Sequence, residues 1–166
     1  MKGILAYNLL GRYGRLGNMM FQYAALLGIA KDKEMIPLAN ISHDDSFKNN
    51  FSLQSVGDTL LYNIDMMYQE PTFSYSSDYT EIDPKQNVEI RGYFQSPLYF
   101  NHRRNEIIEN FTFSKDVRVK AAEKIPEDVC VSVHVRRGDY VNIPDYHHNQ
   151  SEEYYRNALD HFAGYR

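Results

Sequence analysis

The 166-residue chain has no tryptophan, a single cysteine and no long uncharged apolar run. Each shortage excludes something. One cysteine, Cys130, allows no internal disulfide, which rules out a disulfide-stapled scaffold and fits a reducing compartment. Its place at the head of a valine-rich run gives it the expected role of a small apolar core residue, because a reactive thiol sits exposed beside a base. No apolar stretch approaches the ~20 residues that span a bilayer, and the N-terminus opens on a strand-like pattern rather than a secretory leader. The expected location is therefore cytoplasmic, with peripheral membrane association the only membrane role left open. Positive charge is also short, with 18 Lys and Arg against 22 Asp and Glu and a net charge of −4, so the chain as a whole does not attract nucleic acid. Glycosylation sequons beginning at Asn40, Asn50, Asn110 and Asn149 carry no weight in a chain read without an export signal. Against these shortages stand 43% hydrophobic residues, enough for a packed core, and an aromatic share of 14% carried by Tyr and Phe.

The order of patterns along the chain is that of an α/β protein with mainly parallel strands. Residues 3–9 read as a strand and 18–33 as a helix, with Asn18 as its N-cap. Residues 35–39 form a short second strand whose pairing Pro37 limits. From Asn40 to Gln86 the pattern dissolves into Asp, Asn, Ser and Tyr, apart from a weak helical stretch around Leu53–Leu61. Residues 88–93 alternate and return to strand. Pro97 suits the first turn of a helix running to about Glu109, with Phe100, Ile107 and Ile108 as its apolar positions. Ser114 caps a further helix to about Lys124, Pro126 breaks it, a valine-rich strand follows, and a last helix covers Ser151 to about Phe162. There is no internal repeat.

Three segments carry chemistry. The first is Val131-Ser132-Val133-His134-Val135-Arg136-Arg137-Gly138-Asp139-Tyr140. Its alternating valines predict a buried strand, but strand physics does not explain two adjacent arginines at its end. The guanidinium fork grips phosphate through two parallel hydrogen bonds, and a following glycine lets a ligand approach closely. The competing explanation is a salt-bridged strand end in which Arg136 or Arg137 pairs with Asp139. In a strand, His134 shares the face of Arg136. The second segment runs from Gly11 to Ala24 between the first strand and first helix, the arrangement that aims backbone N–H groups and a helix dipole at an anion. Its glycines at 11, 14 and 17 are three apart, so it is neither a dinucleotide fingerprint nor a P-loop. Met20, Ala24 and Leu27 are explained as the core face of the helix; Arg15, Asn18 and Gln22 are not. The third segment is Ile90-Arg91-Gly92-Tyr93-Phe94-Gln95-Ser96-Pro97.

Together, and in this order, the three segments resemble glycosyltransferase family 11, the α-1,2-fucosyltransferases. Gly14 to Ala24 is similar to that family's glycine-loop signature, with Met19 where a glutamine is usual, so Met19 is left out of the site. His134 to Tyr140 resembles the motif with which the wider fucosyltransferase group holds GDP-fucose, and Gly92 to Ser96 a segment common in the family. The resemblance implies a GT-B arrangement of two facing Rossmann-like domains. Residues 1–124 would form the acceptor-side domain, and 125–166 the incomplete start of the GDP-fucose-binding domain. It implies inverting transfer of L-fucose from GDP-fucose to a galactoside in surface glycan synthesis, without cofactor or metal. Arg136 would contact the β-phosphate and glycosidic oxygen, where stabilising developing charge is typically worth about 2.7–4 kcal/mol per donor. Arg137 would support the second phosphate or the motif loop. His134 would touch phosphate or hold the motif by hydrogen bonding, and Asp139 would orient an arginine. Arg15, Asn18 and Gln22 would face the sugar or diphosphate, Asn18 being equally explained as a helix cap.

No general base stands out among Asp139, Asp145, His147 and His148, and the adjacent histidines make a poor metal-ligand set. An unfinished donor domain leaves an unpaired strand edge, so a partner chain or a second copy is expected to complete it, and the chain alone is expected to be weakly active or inactive. Two other functions fit the same residues: a non-catalytic glycan- or nucleotide-binding remnant, and another phosphosugar-handling α/β enzyme.

Overall fold

The computed structural model describes residues 1–41, 45–125 and 130–163. They divide into two compact units, Met1–Lys120 and Ala121–Arg166. In the first, the short apolar run Ile4–Tyr7 forms β1 and is buried along its whole length. It lies between two parallel neighbours, which is why it reads as continuously apolar rather than alternating. The sheet has the order β2-β1-β4-β3, with β2 at Ile36–Ala39, β3 at Met66–Gln69 and β4 at Val88–Arg91, and every pairing is parallel. Leu5 faces Pro37 on one side and Val88 on the other. Pro37 is tolerated because β2 is an edge strand and needs no amide donor toward a further neighbour. The architecture is α/β with a parallel four-stranded sheet, compatible with a Rossmann-like domain.

Helix α1, Leu16–Asp32, crosses from β1 to β2 and is buried without a break from Gln22 to Ala30. A helix apolar around most of its circumference belongs inside a fold rather than on its surface. Around Tyr23 the rings of Phe47, Phe51 and Phe111 interlock, with neighbouring centroids 5.4–6.2 Å apart. The Tyr23 hydroxyl donates to Asn110 Oδ1 at 2.8 Å and accepts the Ser55 N–H at 3.0 Å. Asn110 Oδ1 also accepts the Gln54 N–H, and its amide donates to the Glu106 carbonyl. This buried polar cluster ties α1 to α3 (Arg104–Asn110) and to the chain after α2 (Asp45–Asn50).

Several sequence expectations need correction. Helix α1 begins at Leu16, so Arg15, not Asn18, stands at the N-cap, and Arg15 makes no side-chain cap bond. The span 40–86 is not patternless, since it holds α2, β3 and two 3₁₀ turns, Thr59–Leu61 and Asp78–Glu81. The helix expected from Pro97 breaks into 3₁₀ turns at Pro97–Tyr99 and Asn101–Arg103 before α3 begins, because Phe100 at φ −147° leaves helical space. Ile108 is correspondingly exposed. Ser114 does precede α4 (Lys115–Ala122), yet its Oγ has no partner.

The largest difference lies in the second unit. Residues 130–137 have no regular secondary structure, and Val131, Val133 and Val135 are exposed. Cys130 is exposed as well, not a core residue. The valine alternation has the strand period, but among the described residues no neighbouring strand pairs with it, and a strand forms only against a partner. Pro126 and the rest of 126–129 lie outside the described residues. Helix α5, Glu152–Phe162, forms where expected, with Ser151 Oγ accepting the Tyr154 N–H at 3.2 Å. No helix among the described residues is long and apolar enough to cross a membrane.

Candidate functional site

Ligands of open α/β sheets bind outside the carboxyl ends of the strands. There the loops that follow β1 and β4, neighbours in the middle of the sheet, meet in the first unit. Gly14 stands at φ +84°, and a Cβ there would lie 1.7 Å from Asn18 Nδ2, so only glycine fits the turn. Asn18, on the first turns of α1, accepts a hydrogen bond from Gln95 Nε2 across the two loops. Four residues on, Gln22 is fully buried, and its Nε2 donates to the Tyr13 carbonyl at 3.0 Å and the Gly92 carbonyl at 3.2 Å. The same Gly92 carbonyl accepts the Tyr7 hydroxyl at 2.5 Å. Burial raises the Tyr7 pKa well above the usual tyrosine range, so the hydroxyl stays a donor. Segments separated in sequence by 70 residues or more are thus stitched into one ridge. Asn18 and Gln22 are the stitches: Gln22 Nε2 is taken up by the two loop carbonyls, while its buried Oε1 has no partner. Arg15 is exposed at the start of α1.

Beside this ridge, at the ends of β3 and β4, lies a cleft of about 290 Å³ bounded by Tyr13, Gln69, Phe73 and Tyr93. Glu70 is buried at its base. Oε2 accepts the Tyr93 N–H at 2.7 Å and the Phe94 N–H at 2.9 Å, and Oε1 accepts the Tyr99 hydroxyl at 3.2 Å. Gly92 at φ +151° packs so tightly that a Cβ would lie 2.4 Å from Glu70 Cβ. Phe94, a non-glycine residue, stands at φ +50°. On β4 itself, Arg91 grips Glu89 with Nε to Oε1 at 2.8 Å and Nη2 to Oε2 at 3.1 Å.

The arginine motif lies in the second unit. Arg136 Nη2 donates to Asp139 Oδ1 at 3.0 Å, and its guanidinium carbon sits 4.3 Å above the Tyr140 ring. Tyr140 stacks in turn on His147, with centroids 3.9 Å apart and planes 8° from parallel. Asn149 Nδ2 donates to the Tyr140 carbonyl at 3.0 Å. The Arg136 side chain is therefore held on two sides, while its buried Nε has no partner. Arg137 is exposed and makes no ion pair among the described residues. His134 is exposed and lines a shallow groove against α5 with Tyr154, Tyr155 and Leu159. No group of three or more His, Cys, Asp or Glu among the described residues is arranged to hold a metal ion.

The family model of glycosyl transferase family 11 matches residues 6–166. The chain belongs to this family. Its relatives include galactoside alpha-(1,2)-fucosyltransferase 2 of Hylobates lar, 31% identical over 144 residues, which are 78% of this chain and 40% of the relative. The protein of the same name in Mus musculus is 29% identical over 156 residues, 86% of this chain and 43% of the relative. Galactoside 2-alpha-L-fucosyltransferase SEC1 of Bos taurus is 29% identical over 140 residues, 78% of this chain and 38% of the relative. The chain thus spans about two-fifths of the length of these curated relatives. No solved structure matches it.

Sequence reasoning singled out Asn18, Gln22 and the Gly92–Ser96 segment of this family 11 chain, but not Glu70, Phe73 or Gln95 as site residues. Gln95 was legible, since it sits inside a matched segment. Glu70 and Phe73 lie just past an unrecognised strand and carry no local signal.

Proposed function

We propose that the chain is the acceptor-side and early donor-side part of an α-1,2-fucosyltransferase. It would move L-fucose from GDP-fucose to the 2-hydroxyl of a galactoside in surface glycan synthesis, with inversion and without metal or cofactor. The first unit would correspond to the acceptor-side half of a GT-B enzyme, and the second to the start of the GDP-fucose-binding half. In that reaction the bond between fucose C1 and the β-phosphate oxygen breaks as the bond from C1 to the acceptor oxygen forms. The acceptor loses its proton to a base, and GDP leaves with the extra negative charge.

The observation that carries this reading is the state of Arg136. Its side chains share an ion pair in which Arg136 is 40% and Asp139 44% exposed. A pair so wet is worth only ~0–1 kcal/mol, so a stability role does not account for it. The Tyr140 ring holds the guanidinium over its face, and a buried Nε without a partner asks for an acceptor. A diphosphate oxygen is the acceptor the family chemistry would bring. Asp139 then orients Arg136, Arg137 offers a second guanidinium to the other phosphate, and His134 and Arg15 are the further candidates for donor contacts. Asn18 and Gln22 would act by shaping the loops that face the sugar. This reading also takes the enzyme to be cytoplasmic and its donor side to be completed by further chain, a partner or a second copy.

Titration calorimetry with GDP and GMP tests it. GDP is expected to bind the more tightly, and Arg136→Ala is expected to erase the difference while leaving GMP affinity unchanged. Equal affinities for the two nucleotides in the unaltered protein would overturn the diphosphate site.

A further inference from the structure

The cleft beneath Tyr13, Phe73 and Tyr93 has no part in the nucleotide chemistry assigned to Arg136, yet it is the more carefully built of the two features. The ring of Tyr93 lies 6.0 Å from Tyr13 and 5.6 Å from Phe73, tilted by 59° and 46°. Phe73 is 77% exposed on the loop after β3, and Tyr13 is 37% exposed. A phenyl ring left in water beside two tyrosines forms an apolar surface that folding alone does not require. The loop beneath it is held under strain. Phe94 keeps φ +50° because Glu70 accepts both its N–H and that of Tyr93. Backbone strain of this kind persists where the surroundings over-determine it, and it concentrates at ligand sites.

Size and charge narrow the ligand. The cleft of about 290 Å³ lies at the bottom of the ~300–1,000 Å³ range of small-molecule sites, so it holds one ring rather than a nucleotide sugar. Among the described residues no cationic side chain lines it, and a carboxylate lies at its base, so a phosphate finds no counter-charge there.

We propose that this cleft binds the galactopyranose ring of the acceptor, an inference that rests on the transferase reading above. The axial hydroxyl of galactose at C4 leaves the C–H bonds of C3, C4 and C5 together on one face of the ring. Polarised C–H bonds in such a patch pack on the negative face of an aromatic ring, which Phe73 and the two tyrosines supply. Hydroxyls on the edge of the sugar meet Gln69, exposed at the cleft mouth. The first unit thereby reads the acceptor, while the arginine motif of the second reads the donor.

Saturation-transfer NMR with methyl β-galactopyranoside, together with GDP calorimetry, tests the assignment. Strongest transfer is expected at H3, H4 and H5. Phe73→Ala should weaken galactoside binding about five- to tenfold, the size of one lost ring contact, without moving the GDP affinity. Phe73→Tyr keeps the ring and should restore binding, and because Phe73 is exposed both variants should melt as the parent does. Galactoside affinity unchanged in Phe73→Ala overturns the cleft. In transfer assays on the complete protein, fucosyl turnover whose acceptor KM ignores Phe73→Ala sinks the cleft but keeps the transferase. Galactoside binding that needs Phe73, with no fucosyl transfer at all, keeps the cleft and sinks the transferase.

Discussion

The carboxylate of Glu70 fixes the backbone of Phe94. Oε2 accepts the Phe94 N–H at 2.9 Å while Phe94 stands at φ +50° in the left-handed region, and the adjacent Tyr93 N–H reaches the same oxygen at 2.7 Å. A residue on the loop after an edge strand thus determines the path of the loop after its neighbour. That path in turn sets where the Gly92 carbonyl receives Tyr7 and Gln22. The two motif loops share one support.

Replacing Glu70 by alanine would leave two backbone N–H groups and the Tyr99 hydroxyl without their acceptor. An unsatisfied buried donor costs about 1–3 kcal/mol, so a loss of roughly 2–4 kcal/mol is expected from the set. Urea unfolding measures it through the shift in midpoint at unchanged slope. A loss below about 0.5 kcal/mol, the range of ordinary surface changes, would contradict the anchoring role.

Asn18 lies inside α1, not at its N-cap, so Asn18→Ala forfeits no capping bond and gains intrinsic helix propensity. Its thermal stability is expected to stay within about 0.5 kcal/mol of the parent. What it loses is the Gln95 contact that joins the loops, and ligand affinity should fall. A loss of 1 kcal/mol or more, typical of a deleted N-cap, with ligand affinity intact would reverse this assignment.

Asp139→Asn removes the charge that orients Arg136 but keeps the side-chain shape. The exposed pair contributes at most ~1 kcal/mol, so folding should be almost unaffected. GDP binding should weaken, and it should lose part of its preference over GMP as the guanidinium loses its orientation. Unfolding of the second unit on this substitution would mean that the ion pair is structural after all.

Burial pushes Tyr99 up to about 12 and raises Tyr7 and Tyr23 in the same direction. Unfolded tyrosine titrates near 10, so above that pH the unfolded chain gives up protons that the native chain retains, and stability falls as pH rises. The contribution of these groups is fully present below about pH 10 and is lost as pH climbs toward 12. Urea midpoints should therefore show no loss from these tyrosines between pH 7 and 9 and fall steeply beyond 10, and the fall should be shallower in Tyr99→Phe. A midpoint independent of pH up to 12 would contradict the buried neutral tyrosines.

Local pattern was enough for α1, β1, β4 and α5. In each, the hydrophobic period and end signals such as Ser151 agree with the packing that follows. Motif spelling singled out Asn18 and Gln22, which lie on the ridge between the two loops, and the arginine pair of the second unit. It was not enough for β3, four residues between polar segments whose only warrant is the neighbouring β4. Glu70 and Phe73 gained their meaning with it. The converse holds for Val131–Val135, which has the period of a strand but no pairing neighbour among the described residues, and stands exposed. Helix α5 and its Ser151 cap, and the body of α1, are made from contacts within a few residues, so sequence alone determined that they form. Strand pairing, buried carboxylates and clefts are made from contacts across scores of residues, and only the tertiary structure could decide that Asn18, Gln22 and Glu70 hold the loops in place.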